Sequence, residues 1–517
     1  MGEDVRGRIC VPVCVRTAAG LAGAVERAAR AADIVELRLD CLEGGELFDA
    51  RATLLELKRR VSRPFLYTLR PAEEGGRRRL TVDERVAFWE SAAALVSGER
   101  PDFVDLELDL LESTHGPRLV AALEGFTVIC SHHDFETTPD DLESLYERMA
   151  RTPASVVKIA VRAREITDCV PLLRLLERAR RKGREMIAVA MGEAGVLTRV
   201  LATARGAFLT YGSLDAGQAT APGQVTAAEL RELYRVPELG AGALVTGLVG
   251  SPVGHSLSPH MHNAAFRALG LEAAYLPFEV ANVNEFVRRM ASPRTRELEW
   301  NLRGFSVTAP HKVGVMGLLD WVEERAAEVG AVNTVVIEGT ELRGYNTDVD
   351  AALKPLRERL ELRGARVAVM GAGGAARALL QGLRESGAGT TVFARDLRRG
   401  GELASRFSAE AAALEGASFA DFDVVINTTP LGTSGEREGE TPAAAPQLRG
   451  ARVAYDLVYN PRETRFLREA SEAGCETLGG LDMLVAQAAE QFRLWTGAEP
   501  PVGAMRDAAE KQLKVVG

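Results

Sequence analysis

SVVKIAV, residues 155–161, holds a single lysine inside a run that otherwise has the composition of a buried β-strand. The run is short, apolar and rich in β-branched residues, as in strands that are covered on both faces. Lys158 in its middle must either extend to water along its aliphatic stem or lie desolvated, where an amine becomes nucleophilic at neutral pH. The elements around this run decide which of the two applies.

Seven similar runs lie between residue 8 and about residue 211 and alternate with amphipathic helical sequence. They are RICVPVCV, DIVELRL, RPFLYTL, DFVDLEL, FTVICS, EMIAVAM and GAFLTYG. Together with SVVKIAV they make eight strand–helix units, which predict an α/β fold that begins with a (β/α)8 TIM barrel. The active site of such a barrel lies at the C-terminal ends of its strands.

The bulk composition narrows the class of protein. The chain has 517 residues, 46% of them hydrophobic and 26% charged, so two or more domains are expected. No apolar run is long enough to span a bilayer, and the net charge of −9 argues against nucleic acid as a partner. The N-terminal sequence MGEDVRGRICVPV lacks the features of a signal or transit peptide. We therefore expect a cytoplasmic protein.

The cysteines are scattered singly, without CxxC spacing: Cys10, Cys14, Cys41, Cys130, Cys169 and Cys475. In a long chain this pattern is typical of reduced core residues. Cys10 and Cys14 on one strand would lie about 13 Å apart, which is beyond the reach of a disulfide. We expect reduced cysteines.

Polar side chains fall near the ends of the predicted strands, where a barrel would collect them. They are Glu36, Arg38, Asp40, Arg70, Ser131, His132, His133, Asp134, Lys158, Arg199, Thr220 and Gln224. Arginines, an amine and an imidazole suit a ketone that bears a carboxylate, because the amine can form a Schiff base and the histidine can remove a proton from the adjacent carbon. Each residue alone also has a structural interpretation, as a cap or a surface lysine. No metal site is predicted at His132, His133 and Asp134, since consecutive residues on a strand or turn point apart.

The ordered motifs ELRLD, YTLR followed by EGG, SHHDF, VKIAV, MGEAGVLTR and APGQ resemble the type I 3-dehydroquinate dehydratases over about residues 8–235. The resemblance implies that Lys158 forms the Schiff base, that His133 is the general acid/base and that Glu74 is its partner. It implies no cofactor. The substrate-binding residues that it implies are Glu36, Arg38, Arg70, Arg199, Thr220, where the family usually has serine, and Gln224.

RVPELGAGALVTG, around residues 235–247, contains proline and glycines and is interpreted as a linker to a second α/β pattern. In the following GLVGSPVGHSLSPHMHN, Ser256 and Ser258 either cap a helix or bind a carboxylate. The histidines of this segment lack the carboxylates or thiols of a metal site. Lys312 in GFSVTAPHK and Asp348 in GYNTD can form an acid/base pair at a hydride-transfer site.

MGAGGAAR, residues 370–377, follows the strand-like ARVAV and opens a helical stretch, which is the context of a dinucleotide-binding fingerprint. The next strand, TTVFA, ends at Arg395, and Arg398 and Arg399 follow. Arginines at this point favour the 2′-phosphate of NADP. Asp396 beside them leaves NAD open, because an acidic residue here binds the ribose of NAD.

Together with INTTPLG, YDLVYNP and GGLDMLVAQAAEQFRLWTG, these motifs resemble the shikimate dehydrogenases over about residues 243–515. The resemblance implies Lys312 and Asp348 as the catalytic pair. The shikimate-binding residues that it implies are Ser256, Ser258, Thr308, Asn333, Tyr459 and Gln487; those for NADP are Gly371, Ala372, Gly373, Gly374, Ala375, Arg395, Arg399, Thr429 and Gly480. The chain departs from the family at Ser306 and Ala394, where asparagine is usual, and at Asp396, where threonine is usual.

The two halves together predict a bifunctional enzyme that dehydrates 3-dehydroquinate and then reduces 3-dehydroshikimate with NADPH. The expected domains are a dehydratase barrel at residues 1–236, a substrate-binding lobe at 243–360 and 481–517, and a Rossmann NADP-binding lobe at 361–480. Two alternatives stay open: a ligand-binding regulator that kept both folds without their chemistry, and a quinate-oxidising enzyme that uses NAD. The sequence predicts no oligomeric state.

Overall fold

The computed structural model describes residues 7–95, 100–215, 217 and 223–516. Its N-terminal part is a barrel of parallel strands: β1 (Ile9–Val13), β2 (Ile34–Arg38), β3 (Phe65–Thr68), β4 (Phe103–Glu107), β5 (Thr127–Asp134), β6 (Val156–Arg162), β7 (Glu185–Met191) and β8 (Thr210–Tyr211). Paired neighbours run in the order β7-β6-β5-β4-β3-β2-β1-β8. The N–H of Phe208, just before β8, donates to the Met186 carbonyl of β7 at 2.8 Å and links the two remaining edges. The predicted barrel is confirmed.

Helices cover the outside of the barrel. They are α1 (Ala18–Ala31), α2 (Glu46–Arg60), α3 (Val82–Ala93), α4 (Leu108–Glu112), α5 (Gly116–Ala122), α6 (Leu142–Arg151), α7 (Cys169–Arg181) and α8 (Val196–Leu201). In α7, buried Val170, Leu173 and Leu176 recur every three residues and form the stripe that packs on the strands. The apolar spacing of the sequence thus sets which helix face meets the barrel.

The eighth strand is shorter than the run GAFLTYG predicted, since only Thr210 and Tyr211 are extended and paired. Gly206 before it has φ of +99°, in the left-handed region that glycine favours. Gly212 after it lies so close to Ala227 that an added Cβ would come within 2.9 Å of the Ala227 Cα. A glycine in a left-handed turn and a closely packed glycine therefore flank the short strand.

The expectation of reduced cysteines is wrong for two of the six. Cys14 and Cys41 form a disulfide with a Cα–Cα distance of 5.4 Å, whereas Cys10, Cys130, Cys169 and Cys475 are free and buried. Cys14 follows β1 and Cys41 follows β2, and these strands are parallel neighbours. Their C-terminal ends therefore lie side by side, a proximity that sequence spacing alone does not show.

A second sheet has the strands β9 (Leu244–Gly250), β10 (Ala273–Glu279), β11 (Leu302–Val307), β12 (Trp321–Val322), β13 (Thr334–Glu338) and β14 (Glu341–Tyr345). Their order is β10-β9-β11-β13-β14-β12. Its helices are α9 (Ser258–Ala268), α10 (Val283–Phe286), α11 (Glu324–Val329), α12 (Asp348–Arg357), and the C-terminal α17 (Leu481–Thr496) and α18 (Val502–Val516). Because β9 starts at Leu244, the end of the predicted linker is already strand.

A third sheet lies between α12 and α17 in sequence. Its strands are β15 (Arg366–Met370), β16 (Gly389–Ala394), β17 (Glu410–Ala413), β18 (Val424–Asn427), β19 (Val453–Asp456) and β20 (Glu476–Leu478), and its helices are α13 (Gly374–Ser386), α14 (Leu397–Arg406), α15 (Ala445–Leu448) and α16 (Arg465–Glu472). The parallel order β17-β16-β15-β18-β19-β20 is that of a Rossmann fold. The switch point lies between β15 and β18, where a dinucleotide is expected.

The barrel packs directly on the second sheet's unit. Arg205 Nη2 donates to the carbonyl of Glu299 at 3.0 Å, Arg235 Nη2 donates to that of Leu271 at 2.5 Å, and one apolar core continues from the barrel into this unit. Within the described ranges, no helix combines the length and the apolar character needed to cross a bilayer.

Candidate active sites

Lys158 lies inside the barrel and does not reach the surface. Its residue is 5% exposed, and its Nζ donates to Asp105 Oδ2 at 2.8 Å. The ring centroid of Tyr211 lies 4.6 Å from Nζ. Strand register places Lys158 beside Ser131 of β5. The amine therefore faces the interior of the barrel, where it contacts the Asp105 carboxylate and the ring face of Tyr211.

His133 and Glu74 form a pair above this lysine. His133 Nδ1 lies 3.0 Å from Glu74 Oε2, so that one proton is shared between the two atoms. Burial, with the cations Arg70 and Lys158 nearby, holds the pKa of His133 well below its usual value. Burial also raises the pKa of Glu74 to about 8. The imidazole is therefore neutral at physiological pH and can accept a proton.

Arg70 is a buried cation surrounded by carboxylates. Its guanidinium lies 2.8 Å from Asp105 Oδ1, 2.9 Å from Glu107 Oε1 and 3.6 Å from Glu74 Oε2. It also donates to Ser131 Oγ at 2.7 Å. Burial raises the pKa of Glu107 to about 7. These contacts fix the guanidinium at the edge of the cavity, where it can meet an anionic or hydroxyl-bearing ligand.

The predicted dehydratase residues that the structure describes all line one cavity: Glu36, Arg38, Arg70, Glu74, His133, Lys158, Arg199 and Gln224. Arg38 donates to both carboxylate oxygens of Asp40 at 2.9 Å, and Thr68 Oγ1 donates to Glu36 at 2.7 Å. Burial lowers the pKa of Arg199 to about 10. Thr220, the remaining predicted residue, lies outside the described residues.

Sequence reasoning missed two groups that contact Lys158, namely Asp105 and Tyr211. Asp105 and Glu107 are fully buried on β4. The signal was present in DFVDLEL, where two acidic residues at a spacing of two share one face of an otherwise apolar strand. A charged residue on the inner face of a barrel strand needs a buried partner.

A second Lys–Asp pair lies in the cleft of the C-terminal half. Lys312 Nζ donates to Asp348 Oδ2 at 2.6 Å, and Asn333 Nδ2 donates to Asp348 Oδ1 at 2.7 Å. Lys312 follows β11, whereas Asp348 begins α12. The carboxylate is therefore held by two donors and orients the amine toward the cleft.

The predicted shikimate-binding residues share that cleft with the pair. The lining includes Ser256, Ser258, Thr308, Lys312, Asn333, Asp348, Ala375, Tyr459, Gly480 and Gln487. Ala375 and Gly480, which the sequence assigned to the cofactor, thus line the cleft of the Lys312–Asp348 pair. A Cβ added to Gly374 would lie 3.6 Å from Lys312 Cδ, so the start of α13 meets the lysine.

Ser306, where the family has asparagine, belongs to a buried network behind the cleft. Tyr275 Oη donates to Ser306 Oγ at 2.8 Å, and Ser306 Oγ donates to Gln491 Oε1 at 2.8 Å. Gln491 Nε2 in turn donates to Thr334 Oγ1 at 3.1 Å. Ser306 and Gln491 both line the cleft, and the serine hydroxyl is fixed by Tyr275 on one side and Gln491 on the other.

A neighbouring pocket at the switch point of the Rossmann sheet suits a dinucleotide. Its lining includes Gly371, Ala372, Gly373, Arg395, Asp396, Arg399, Thr429 and Arg437. Gly371 has φ of +115°, and a Cβ there would come within 2.6 Å of Thr428 Oγ1. Only glycine fits this turn, which leaves backbone N–H groups at the start of α13 free to meet a phosphate.

Asp396 acts as a helix cap in this pocket. Its Oδ1 accepts a hydrogen bond from the N–H of Arg399 at 3.1 Å, at the start of α14. Capping is a role that aspartate and threonine share, so the departure from the family's threonine keeps the function of that position. The contact engages Oδ1, one of the two carboxylate oxygens.

Three family models match parts of the chain. The model of type I 3-dehydroquinase matches residues 9–240. The model of the shikimate dehydrogenase substrate binding domain matches residues 248–335, and that of the shikimate 5′-dehydrogenase C-terminal domain matches residues 480–510. The chain is thus similar to two families, one in each half.

One relative is similar to this chain across both halves. The chain is 34% identical over 496 residues to the chloroplastic bifunctional 3-dehydroquinate dehydratase/shikimate dehydrogenase of Arabidopsis thaliana, covering 91% of this chain and 78% of that protein. It is 45% identical over 267 residues to the shikimate dehydrogenase (NADP(+)) of Oleidesulfovibrio alaskensis, covering 50% and 92%. A crystal structure of a shikimate dehydrogenase in complex with NADP+ matches with a TM-score of 0.50 and 35% identity, over 53% of this chain and 97% of that one.

Proposed function

This chain belongs to the family of bifunctional 3-dehydroquinate dehydratase/shikimate dehydrogenases, and on that premise we propose that it catalyses two consecutive reactions. The barrel dehydrates 3-dehydroquinate to 3-dehydroshikimate without a cofactor. The C-terminal half reduces 3-dehydroshikimate to shikimate with NADPH. The observation that carries the proposal is the presence, in one chain, of a buried barrel lysine beside a His–Glu pair and of a Lys–Asp pair beside a dinucleotide fingerprint.

In the barrel, Lys158 is the nucleophile. Its Nζ bonds to the carbonyl carbon of 3-dehydroquinate, the carbonyl oxygen leaves as water, and a cationic iminium remains. His133 takes a proton from the adjacent carbon, and the electron pair of that bond forms an enamine. The hydroxyl on the next carbon then leaves with a proton returned by His133, and water hydrolyses the new iminium to free Lys158.

Two features of the site support these roles. His133 is neutral through burial and neighbouring cations, which suits a group that must accept a proton. Glu74 shares a proton with His133 Nδ1 and orients the ring. Glu36, Arg38, Arg70, Arg199, Gln224 and Thr220 are the groups proposed to bind the substrate's carboxylate and hydroxyls.

In the cleft, Lys312 gives a proton to the carbonyl oxygen of 3-dehydroshikimate while the carbonyl carbon is reduced, and Asp348 holds the amine in place. NADPH, when bound, supplies the hydride. Ser256, Ser258, Thr308, Asn333, Tyr459 and Gln487 are proposed to bind shikimate. Their convergence around Lys312 and Asp348 in one cleft supports this assignment.

For the cofactor, Gly371, Ala372, Gly373, Gly374 and Ala375 are proposed to hold the pyrophosphate at the start of α13, and Arg395 and Arg399 the 2′-phosphate. Thr429 and Gly480 complete the proposed set. Both arginines line the pocket, which favours NADPH over NADH.

The same reasoning gives the wider setting. We propose the small-molecule partners 3-dehydroquinate, 3-dehydroshikimate, shikimate and NADP, with no role for nucleic acid or membrane, and a cytoplasmic location. The domain division proposed is residues 1–236, 243–360 with 481–517, and 361–480. Negative net charge supports the exclusion of nucleic acid.

The test is NADPH absorbance after 3-dehydroquinate is added to the purified chain, with Lys158→Ala in parallel. The proposal expects NADPH consumption by the wild type, none by the variant, and restoration in the variant when 3-dehydroshikimate is supplied. A wild-type chain that consumes no NADPH even with 3-dehydroshikimate would contradict the reductase assignment and favour the regulatory or NAD-dependent alternatives.

A further inference from the structure

We propose that Asp105 is the counter-ion of the cationic Schiff base on Lys158, an inference that rests on the proposed dehydratase function. Its carboxylate is fully buried on β4, and Oδ2 accepts the hydrogen bond from Lys158 Nζ at 2.8 Å. Among the residues that the structure describes, no other carboxylate lies within ion-pair distance of this amine. The group that must become an iminium therefore already touches one fixed anion.

The orientation of this carboxylate is locked by its second oxygen. Oδ1 accepts from Ser131 Oγ at 2.5 Å and lies 2.8 Å from Arg70 Nη2. Rotation of the carboxylate would break both contacts, so Oδ2 stays directed at Nζ. The strand register, which places Ser131 of β5 between Glu107 of β4 and Lys158 of β6, builds this arrangement into the barrel.

The other carboxylates nearby are less suited to the role. Glu107 is paired with Arg70 and Arg85, and Glu74 with His133. Burial raises the pKa of these two carboxyls to about 7 and about 8. Burial opposes ionisation of Asp105 as well, but Arg70 and Lys158 outweigh it and hold the pKa of Asp105 below its usual range. Asp105 thus carries the permanent negative charge of the cluster.

The charge on nitrogen explains what the counter-ion does. An ammonium and a ketone react to give a protonated imine and water, so the nitrogen carries one positive charge before and after and keeps one N–H to donate to Asp105. Only in the enamine, after His133 has taken a proton, is the nitrogen neutral. Loss of the Asp105 charge therefore disfavours every cationic form of this nitrogen relative to a neutral one. The iminium is then less stable relative to the neutral amine and unreacted ketone, and the fraction of enzyme in the covalent state falls.

The test compares Asp105→Asn with Glu107→Gln in the full chain. Both changes remove a buried carboxylate from Arg70, but only the first removes one from Lys158. Each variant is mixed with 3-dehydroquinate and reduced with borohydride, the modified Lys158 peptide is quantified by mass spectrometry, and the kcat and KM for dehydration are measured. Turnover of supplied 3-dehydroshikimate with NADPH and circular dichroism show whether the chain is folded.

For Asp105→Asn, we expect kcat to fall by about 100-fold or more, with KM within about threefold and with little reduced adduct. Glu107→Gln should keep the adduct and lose less than about tenfold in kcat. Equal losses in the two variants, or a raised KM with a normal adduct in Asp105→Asn, would overturn the proposal.

Further controls keep the outcome decisive. If Asp105→Asn does not fold, Asp105→Glu, which keeps the charge, is expected to retain more than half of the wild-type adduct, and a folded Asp105→Glu without adduct would also overturn the proposal. If the wild type itself forms no adduct, the dehydratase function fails instead.

Discussion

The molecule contains two lysine–aspartate pairs of nearly the same geometry in two different settings. Lys158 and Asp105 are 2.8 Å apart, with side chains 6% and 0% exposed. Lys312 and Asp348 are 2.6 Å apart, with side chains 22% and 7% exposed. The first pair lies inside a barrel next to His133 and Glu74, and the second lies in a cleft next to the start of α13.

On the roles proposed for the two lysines, the ion pair alone does not determine the chemistry. In the barrel, an enclosed site with a neutral imidazole suits a covalent intermediate whose neighbouring carbon must lose a proton. In the cleft, the amine meets substrate and cofactor together, so a proton donor is needed and a nucleophile is not. On this proposal, the surroundings make Lys158 a nucleophile and Lys312 an acid.

The strongest way to break this comparison is to remove the amine of the cleft. In Lys312→Met, the rate of NADPH-dependent reduction at saturating 3-dehydroshikimate should fall by about 10²–10⁴-fold, as for the loss of a general acid, while dehydration stays at the wild-type rate. Lys354→Met, on the exposed face of α12, is the matched control. Separate assays of the two reactions decide the matter, and a parallel loss of dehydration would show that the sites are not independent.

Removing the proposed contact to the 2′-phosphate of NADPH sharpens the comparison, since only the reaction in the cleft is proposed to use this cofactor. Arg395→Ala should raise the KM for NADPH by about 10- to 100-fold, the value of a lost charge-assisted hydrogen bond, with the KM for NADH little changed. Arg398, which pairs with Glu402 at 2.8 Å, gives the control Arg398→Ala. Steady-state kinetics with both cofactors measure the effect; equal rises for NADPH and NADH would exclude a 2′-phosphate contact.

The pKa of Glu74 in the barrel site gives a weaker test, through the pH dependence of the protein's stability. The folded chain holds the proton of Glu74 up to a pKa of about 8, whereas an unfolded glutamate releases it near about 4.3. The stability that this group contributes is therefore present at low pH and is lost as the pH rises from about 5 to 8. Over that pH range the free energy of unfolding should fall less in Glu74→Gln than in the wild type, by about 1 kcal/mol or more. Hydrogen exchange of β5 and β6 amides at pH 5 and pH 8 measures it, and identical pH dependence in both chains would contradict the burial of an ionisable Glu74.

The smallest effect is expected at Asp396. Asp396→Thr exchanges one helix cap for another, so the stability should change by less than about 1 kcal/mol. The preference for NADPH over NADH should stay within about threefold, since the carboxylate is a cap and does not read the ribose. Thermal unfolding and cofactor kinetics test both parts. A large shift in preference would return Asp396 to the role of a ribose ligand.

Regular patterns made most of the fold predictable. The β-branched runs of the barrel and the strand–glycine–helix order at residues 365–380 each reflect local geometry that the sequence must satisfy. Lys158, His133 and Glu74 were named from motifs, and they line one cavity because the parallel strands that carry or precede them belong to one barrel.

What escaped prediction depends on neighbours that are distant in sequence. Cys14 and Cys41 are joined because β1 and β2 are adjacent, and Asp105 meets Lys158 across β5. The short β8 lies between Gly206, which is in the left-handed region, and the closely packed Gly212. The capping role of Asp396 required the position of the Arg399 N–H. Such pairings follow from register and packing, which composition and spacing along the chain do not specify.

The most direct measurement asks which of the two lysines becomes covalently modified. The full chain is incubated with 3-dehydroquinate, reduced with borohydride, digested and mapped by mass spectrometry. We expect the reduced adduct on Lys158 and none on Lys312. An adduct on Lys312, or none at all in a chain that still dehydrates 3-dehydroquinate, would contradict the assignment of the barrel lysine as nucleophile.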